Sequence, residues 1–182
     1  MSLWDQKMTD LMKYIFCFLG LLLISHAGIC QNPIIPAGEG VTDPHIRIYD
    51  NMAYMTACHD HSIDNEWFHI DHWLMYSSPD LVNWKKEYAL HPEETYIGGP
   101  YEQCWATDFI RRDGKYYWYF SQHNHGVGVM VADSPGGPWM DPLGKPLLYE
   151  GLVPTDPYDP GIVEFNGEYY IFFDSSYIQS TQ

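Results

Sequence analysis

The feature that most constrains this chain is an internal repeat. The segment LMYSSPDLVNW, residues 74–84, matches VMVADSPGGPW, residues 129–139, at a constant offset of 55. In each copy, strand-like residues end in small polar ones, a turn containing proline follows, and a tryptophan stands nine residues after a methionine. A repeat of this size indicates an architecture built from similar supersecondary units.

Each unit is predicted to contain four β-strands. After residue 31 no convincing helix pattern occurs, and short runs of strand-forming residues are interrupted by Gly, Pro, Asn and Asp, as in all-β folds. A unit opens on a strand headed by aspartate, as in VTDPHIRIYDNMAYM, residues 41–55. A turn, an aromatic strand, a third strand ending in Ser or Asp and a Trp-bearing fourth strand follow. Four strands in about 55 residues match the size of a β-propeller blade.

Counting these units predicts a truncated propeller. Blade one is expected over Asp43–Trp84, blade two over Asp108–Trp139, and blade three from Asp159 to an unfinished end at Gln182. Propellers close with about four to eight blades, and an open arc would expose strand edges. We therefore expect residues 31–182 to be an all-β fragment of a larger protein, with about two and a half blades.

The first 30 residues are predicted to be a secretory signal peptide. Lys13 precedes an apolar run of eleven residues, Tyr14–Ile24, and small residues follow it. This run is shorter than the ~20 residues that span a bilayer and suits the apolar region of a signal. Cleavage before Gln31 would leave a secreted or periplasmic protein without a membrane segment. The alternative, a buried core helix, lacks helical periodicity.

The strongly negative net charge of the chain limits the kinds of molecule that it can bind. Asp and Glu number 24 against 9 Lys and Arg, a net charge of −15 at pH 7, and the charges before residue 31 cancel. Without a basic patch to meet phosphates, nucleic acid is excluded as a partner. With 46% hydrophobic residues the chain can bury a core. Its two later cysteines, Cys58 and Cys104, could form a disulfide in a secreted protein.

Three aspartates are the first candidate functional residues. Asp43, Asp108 and Asp159 stand near the starts of the predicted first strands, which line the central channel of a propeller. Because converging carboxylates repel one another, folding alone does not favour this arrangement. Carboxylates around a central pocket serve glycoside hydrolysis or metal binding. The alternative is that each aspartate caps a turn through its own backbone.

At these residues the chain resembles glycoside hydrolase family 43. NPIIPAGEGVTDPHIRIYDNMAYMTACHD resembles the opening of the family domain, and YSSPDLVNW, CWATDFIRRDGKYYWYFS, GVGVMVADSPGGPW and DPYDPGIVEFNGEYYIFF resemble its successive blade motifs, in order. The resemblance covers residues 32–174 and implies a five-bladed β-propeller. It also implies inverting hydrolysis of α-L-arabinofuranosyl or β-D-xylosyl linkages in arabinan, arabinoxylan or xylan oligosaccharides. No cofactor is implied, and a structural calcium ion is compatible with the complete protein.

The resemblance also implies roles for individual carboxylates. Asp43 matches the general base that activates water, and Asp159 matches the carboxylate that tunes the pKa of the general acid and orients the sugar. Asp108 matches a substrate-binding position beside the pocket, although Thr107 stands where the family usually has proline. The general acid of the family is a glutamate in a motif downstream of blade three. Because no such motif precedes Gln182, we expect this chain alone to be inactive.

Three further residues are predicted to contact substrate. Trp105 stands three residues before Asp108, where its ring could stack on a sugar face; the alternative is packing between blades. His59 and Asp60 follow a strand that starts inside the propeller, which predicts a place at the pocket mouth; the alternative is ordinary loop polarity. The histidines are predicted to lie in inter-strand loops, and their spacing matches no strong zinc template. We therefore predict no metal site.

Two interpretations from different classes remain. One is a secreted O-glycosyl hydrolase, and the other is a propeller that binds glycans without cleaving them. SPDLVNW is one residue short of the Asp-box of sialidases and lacks its Gly and Thr, and the chain lacks the Trp-Asp endings of WD40 repeats. A glutamate near the start of a later blade strand would favour the enzyme.

Overall fold

The computed structural model describes residue 4 and residues 34–36, 38–62, 64 and 67–175. The chain divides into two compact units, Met1–Asn32 and Pro33–Gln182, and every strand belongs to the second unit. The predicted signal peptide falls outside the described residues, apart from Trp4, and stays a prediction. No helix in the part that is described is long and apolar enough to cross a membrane.

The described residues form ten strands and one short 3₁₀ helix, Pro92–Glu94. Aromatic and β-branched residues at alternating positions drive strand formation, as in KYYWYF, where Tyr116, Trp118 and Phe120 point into the core. The strands are β1 (Val41–Tyr49), β2 (Met52–Asp60), β3 (Ile70–Ser78), β4 (Lys85–Leu90), β5 (Cys104–Arg112), β6 (Lys115–Gln122), β7 (Gly126–Ala132), β8 (Leu148–Tyr149), β9 (Pro157–Phe165) and β10 (Glu168–Ser175).

The strands are arranged as three antiparallel sheets in chain order. The first sheet has the order β1-β2-β3-β4, the second β5-β6-β7-β8, and the third pairs β9 with β10. Two-residue turns with positive φ join the inner strands, as at Asp50 and Asn51 between β1 and β2. The prediction of an all-β chain with two blades and half of a third is confirmed.

The outer strands differ from the prediction that a tryptophan lies within each of them. Trp84 immediately precedes β4, and Trp139 precedes Met140, which forms only an isolated bridge with Val131. Trp139 is 6% exposed and packs edge-on against Trp118 at 5.1 Å. Trp84 therefore lies where the chain enters β4, whereas Trp139 lies nine residues before β8, and both blades extend past the predicted ends.

The hydrophobic core continues from blade one into blade two. Trp73 of β3 and Phe120 of β6 are fully buried, with ring centroids 4.4 Å apart. Trp73 Nε1 also donates to the Trp105 carbonyl at 2.8 Å. Burying a large apolar side chain stabilises the fold by about 1.5–3 kcal/mol. These contacts hold β5, which carries Trp105, against the first blade.

Cys58 and Cys104 belong to the same core as free thiols. Both are fully buried, and burial raises the pKa of each thiol above its ordinary value. The disulfide considered from the sequence is not formed. Both side chains act here as small apolar groups.

A β-bulge interrupts the innermost strand of each blade. The pairing register shifts at Asp43-Pro44 in β1, at Ala106 in β5 and at Asp159-Pro160 in β9. Asp43 and Asp159 have φ values of 50° and 49°, a left-handed conformation that aspartate adopts more readily than most residues. The prolines, which lack a ladder N–H, are tolerated at bulges. Bulges re-aim side chains. The bulges of β1 and β9 place Asp43 and Asp159 at equivalent positions of their blades.

Asp108 does not share that position. Regular pairing resumes after the bulges at His45, Thr107 and Gly161. Asp108 comes after Thr107, at the place that Ile46 and Ile162 take in the other blades, and the bulge position of β5 holds Ala106 instead. The prediction that the three aspartates are equivalent is wrong for Asp108.

Asp108 joins the innermost strands of all three blades, an arrangement that we call the Asp108 clamp. Its carboxylate is buried, and Oδ1 accepts from Arg47 Nε at 3.1 Å while Oδ2 accepts from the Ile162 N–H at 2.8 Å. Arg47 also donates to the Ile162 carbonyl. Burial by itself would raise the pKa of Asp108, but the hydrogen bonds from His45, Arg47 and the Ile162 N–H outweigh burial and lower it.

Replacing Asp108 by asparagine is expected to loosen this clamp. The Asn amide nitrogen is a donor, and its neighbours Arg47 and the Ile162 N–H are donors too. We expect the free energy of unfolding at pH 7 to fall by about 1.5–3 kcal/mol, the usual worth of a hydrogen bond to a charged group. Urea unfolding of wild type and Asp108→Asn measures the difference.

The matched control is Asp133→Asn, which breaks the exposed pair with Lys115 and should cost less than about 1 kcal/mol. The contribution of Asp108 to the free energy of unfolding also depends on pH. Because the folded-state pKa of Asp108 is lowered, this contribution is complete above the unfolded-state pKa of ~3.9 and is lost as pH falls through the folded-state pKa. Equal unfolding free energies for both variants at pH 7 would contradict the clamp.

Candidate active site

A pocket opens where the bulges of β1, β5 and β9 meet. Its volume is about 230 Å³, which is smaller than the ~300–1,000 Å³ of typical ligand pockets and suits one sugar unit better than a long oligosaccharide. Carboxylate, aromatic and small side chains share its wall. The lining residues are Thr42, Asp43, Phe68, Ile70, Trp105, Ala106 and Asp159.

Asp43 and Asp159 both line this pocket, and the negative charge of Asp43 acts on Asp159. The pKa of Asp159 is raised to about 6, first by burial and then by the negative charges of Asp43 and Asp174, with His45 opposing the shift. Asp159 is nevertheless exposed to solvent as a residue, so a ligand can reach it in the pocket. The Asp159 N–H donates to Ser121 Oγ at 2.7 Å, which fastens this bulge to the end of β6.

Trp105 forms the aromatic wall of the pocket. Its ring centroid lies 4.0 Å from that of His123 and 5.9 Å from that of Tyr158 in an edge-to-face arrangement. The side chain is half-buried, so part of it stays accessible beside the carboxylates. An aromatic ring next to carboxylates is suited to a sugar, whose C–H faces pack on π-systems. Trp105 thus combines packing against blade three with a place in the pocket.

His59 and Asp60 lie outside the pocket lining. His59 Nδ1 hydrogen-bonds to Asp71 Oδ1 at 2.7 Å. Asp60 Oδ1 accepts from the N–H groups of Ser62 at 2.9 Å and His69 at 3.3 Å. Both side chains are therefore paired within blade one, at the connection between β2 and β3, and their place at the pocket mouth stays a prediction.

Asp108 also lies outside the lining, although sugar binding was the expectation for it. The side chain is 1% exposed, and its oxygens are occupied by the Asp108 clamp. A buried carboxylate whose acceptor positions are occupied cannot meet a sugar hydroxyl. Its contribution to the pocket is to position the strands that carry Asp43 and Asp159.

Four lining residues were not predicted. Thr42 and Ala106 follow from the bulges, since they flank or occupy the interrupted positions. Phe68 and Ile70 come from the end of the β2–β3 connection, beside the exposed Trp67. The adjacent apolar residues WF within the polar stretch DNEWFH could have predicted that this connection contributes an apolar wall to the pocket.

One group of side chains in the described part of the chain could hold a metal ion. The ligand atoms of His59, Asp71 and His72 all lie within 4.8 Å of one another. His59 and His72 are directly paired residues of β2 and β3, so their predicted place in inter-strand loops is wrong. Burial is the largest influence on His72 and lowers the pKa of its imidazole.

Known proteins match this chain over most of its length. The family model Glycosyl hydrolases family 43 matches residues 30–181. An arabinoxylan arabinofuranohydrolase of Bacillus subtilis (strain 168) is 29% identical over 152 residues, 73% of this chain and 29% of its own length. A xylosidase/arabinosidase of Bacteroides ovatus is 29% identical over 149 residues, 75% of this chain and 44% of its own length.

Solved structures give the same result. A GH43 β-xylosidase/α-arabinofuranosidase from a compost microbial metagenome, in complex with xylotriose, superposes with a TM-score of 0.64 at 25% identity over 79% of this chain and 45% of its own. The Bacillus subtilis arabinoxylan arabinofuranohydrolase in complex with cellotetraose gives 0.62 at 25% identity over 82% and 35%. The chain thus spans less than half the length of these relatives. Since the family model covers nearly all residues after the first 29, the chain belongs to glycoside hydrolase family 43.

Proposed function

We propose that this chain forms the base-bearing part of a secreted glycoside hydrolase that removes α-L-arabinofuranosyl or β-D-xylosyl units from plant polysaccharides with inversion. The observation that carries the proposal is the placement of Asp43 and Asp159 on matching bulges of one pocket. The sugar class is supported by the relatives, which are named for arabinoxylan, xylosides and arabinosides.

Asp43 is the general base in this proposal. Its carboxylate lines the pocket, where it would take a proton from a water molecule as that oxygen bonds to the anomeric carbon. The glycosidic C–O bond breaks on the opposite face, and the leaving oxygen receives a proton from the general acid. The bulge fixes the Asp43 backbone, so the carboxylate direction does not depend on a flexible loop.

Asp159, in this proposal, raises the pKa of the general acid and binds the sugar. Its pKa is raised to about 6, first by burial and then by the charges of Asp43 and Asp174, which supports an electrostatic role for this carboxylate in the pocket. A carboxylate here raises the pKa of a neighbouring acid by disfavouring the charged form. It also offers acceptor oxygens to sugar hydroxyls, next to the ring of Trp105.

The proton donor comes, in this proposal, from another part of the family domain. The described lining of the pocket includes two aspartates and no glutamate. An inverting enzyme keeps its base and acid ~6.5–9.5 Å apart, with water between them, so the acid belongs on the side of the pocket opposite Asp43. The relatives, more than twice as long as the matched segment, have room for such a residue.

Asp43→Asn is expected to abolish turnover in a gene product extended through all five blades. The amide cannot accept the proton of water, and asparagine tolerates the same positive φ, so kcat should fall by about 10²–10⁴-fold with KM little changed. Release of arabinose or xylose from aryl glycosides measures the rate, and NMR of the first-formed anomer reports inversion.

The matched control is Asp50→Asn, which also has a positive φ of 51° but lies in the β1–β2 turn, away from the pocket. Its activity should equal that of wild type. Full activity in the Asp43→Asn protein would remove Asp43 from the role of base. Sugar binding without turnover in wild type would favour the non-catalytic glycan-binding propeller.

The 182-residue chain by itself is expected to release no detectable sugar from the same aryl glycosides. It would lack the proposed proton donor, which typically contributes about 10²–10⁴-fold to the rate. Robust hydrolysis by the purified chain would contradict the proposal that the acid lies elsewhere in the domain.

Asp159→Asn is expected to raise the melting temperature of the chain at pH 8 and to leave it unchanged below pH ~4. The folded-state pKa, about 6, lies above the unfolded-state value of ~3.9, so the contribution of Asp159 is complete at low pH and is lost as pH rises through 6. The neutral amide avoids that loss. A melting difference that does not change between pH 4 and 8 would contradict this linkage.

A further inference from the structure

A further β-bulge, between β2 and β3, brings two imidazoles and a carboxylate together outside the pocket. His59 pairs with His72 and Asp60 pairs with Ile70, which leaves Asp71 as the extra residue. Directly opposed residues project from the same face of a sheet, and the two imidazole rings stack with centroids 4.3 Å apart. Because a bulge re-aims its extra side chain, Asp71 reaches the face that carries both rings.

The three side chains converge through atoms that ligate metals. Asp71 Oδ1 lies 2.7 Å from His59 Nδ1 and 2.6 Å from His72 Nδ1. The side chains of His59 and His72 are 26% and 13% exposed, and that of Asp71 is 41% exposed. The group is therefore partly buried, with one open side. A cation between these atoms would replace the two hydrogen bonds that now converge on one carboxylate oxygen.

We propose that His59, Asp71 and His72 form a binding site for a first-row transition-metal cation, with Zn²⁺ as the ion that fits best. Two imidazole nitrogens and one carboxylate oxygen are ordinary zinc ligands, and three protein ligands leave one of four positions open. Ca²⁺ and Mg²⁺ prefer all-oxygen surroundings and higher coordination numbers. The net charge of −15 favours any cation at this surface.

His91 is placed to complete or shield the open position. Its ring stacks on His72 with centroids 4.7 Å apart, and the residue is exposed. A water molecule serves the same purpose where His91 stays outside the coordination sphere. Three strand ends, those of β2, β3 and β4, thus present imidazoles in one row across the blade.

Metal binding here would stabilise one wall of the sugar pocket. Asp71 follows Ile70 directly, and both Ile70 and Phe68 line the pocket. Linking His59 of β2 to Asp71 and His72 of β3 fixes the two strand ends between which this wall lies. The proposed metal is structural, takes no part in bond cleavage and does not depend on the proposed function of Asp43.

The test is Zn²⁺ binding to the untagged 182-residue chain after treatment with a chelator. Isothermal titration calorimetry should give one Zn²⁺ per chain, and Ca²⁺ should give no comparable binding. Co²⁺ in place of Zn²⁺ should give the intense visible absorption of a four-coordinate nitrogen and oxygen site. His59→Gln and Asp71→Asn should each weaken Zn²⁺ binding by at least 10-fold.

The matched control is His125→Gln, an exposed histidine of the β6–β7 turn, whose Zn²⁺ affinity should equal that of wild type. Circular dichroism without metal verifies that each variant is folded, and His59→Gln and Asp71→Asn replace more exposed side chains than His72→Gln does. The proposal is overturned if folded wild type binds no Zn²⁺ with one-to-one stoichiometry, or if the His59→Gln, His72→Gln double variant binds as tightly as wild type.

Discussion

The ion pair between half-buried Arg47 and buried Asp108 is the contact on which the placement of the blades relative to one another depends. It connects β1 to β5, and the Ile162 backbone adds β9 through both its N–H and its carbonyl. A buried charge that loses its partner is costly, so the three strands keep one relative position. Arg47 lies four residues after Asp43 and Ile162 three after Asp159, so the clamp acts on the same two strands that carry the pocket carboxylates.

Three aspartates near the starts of equivalent strands differ because their surroundings differ. Asp108 is surrounded by donors, and its pKa is lowered. Asp159 meets burial and the charge of Asp43, and its pKa is raised to about 6. Opposite shifts in one residue type separate a carboxylate that holds strands together from one that lines the pocket. These surroundings differ because Asp108 lies two residues after the bulge position of β5, which is occupied by Ala106.

Much of the fold was predictable from the repeat, and part of the site was as well. The distances in sequence already separate the aspartates: Asp43 to Tyr54 and Asp159 to Tyr170 are eleven residues, whereas Asp108 to Tyr117 is nine. The side chains of His59, Asp71 and His72 meet only because β2 and β3 pair with a bulge, and register of that kind leaves no periodic trace in sequence. Phe68 belongs to a connection whose course the repeat does not set.

The bulge at Ala106 has a consequence for how such pockets diversify. At the interrupted points of the inner strands, blades one and three present Asp43 and Asp159, whereas blade two presents Ala106, and that point is separate from the Asp108 clamp. A change at Ala106 would therefore alter the space and polarity of the pocket without touching the contacts that hold the blades together. Blade two thus provides a position at which the pocket lining can change independently of the Asp108 clamp.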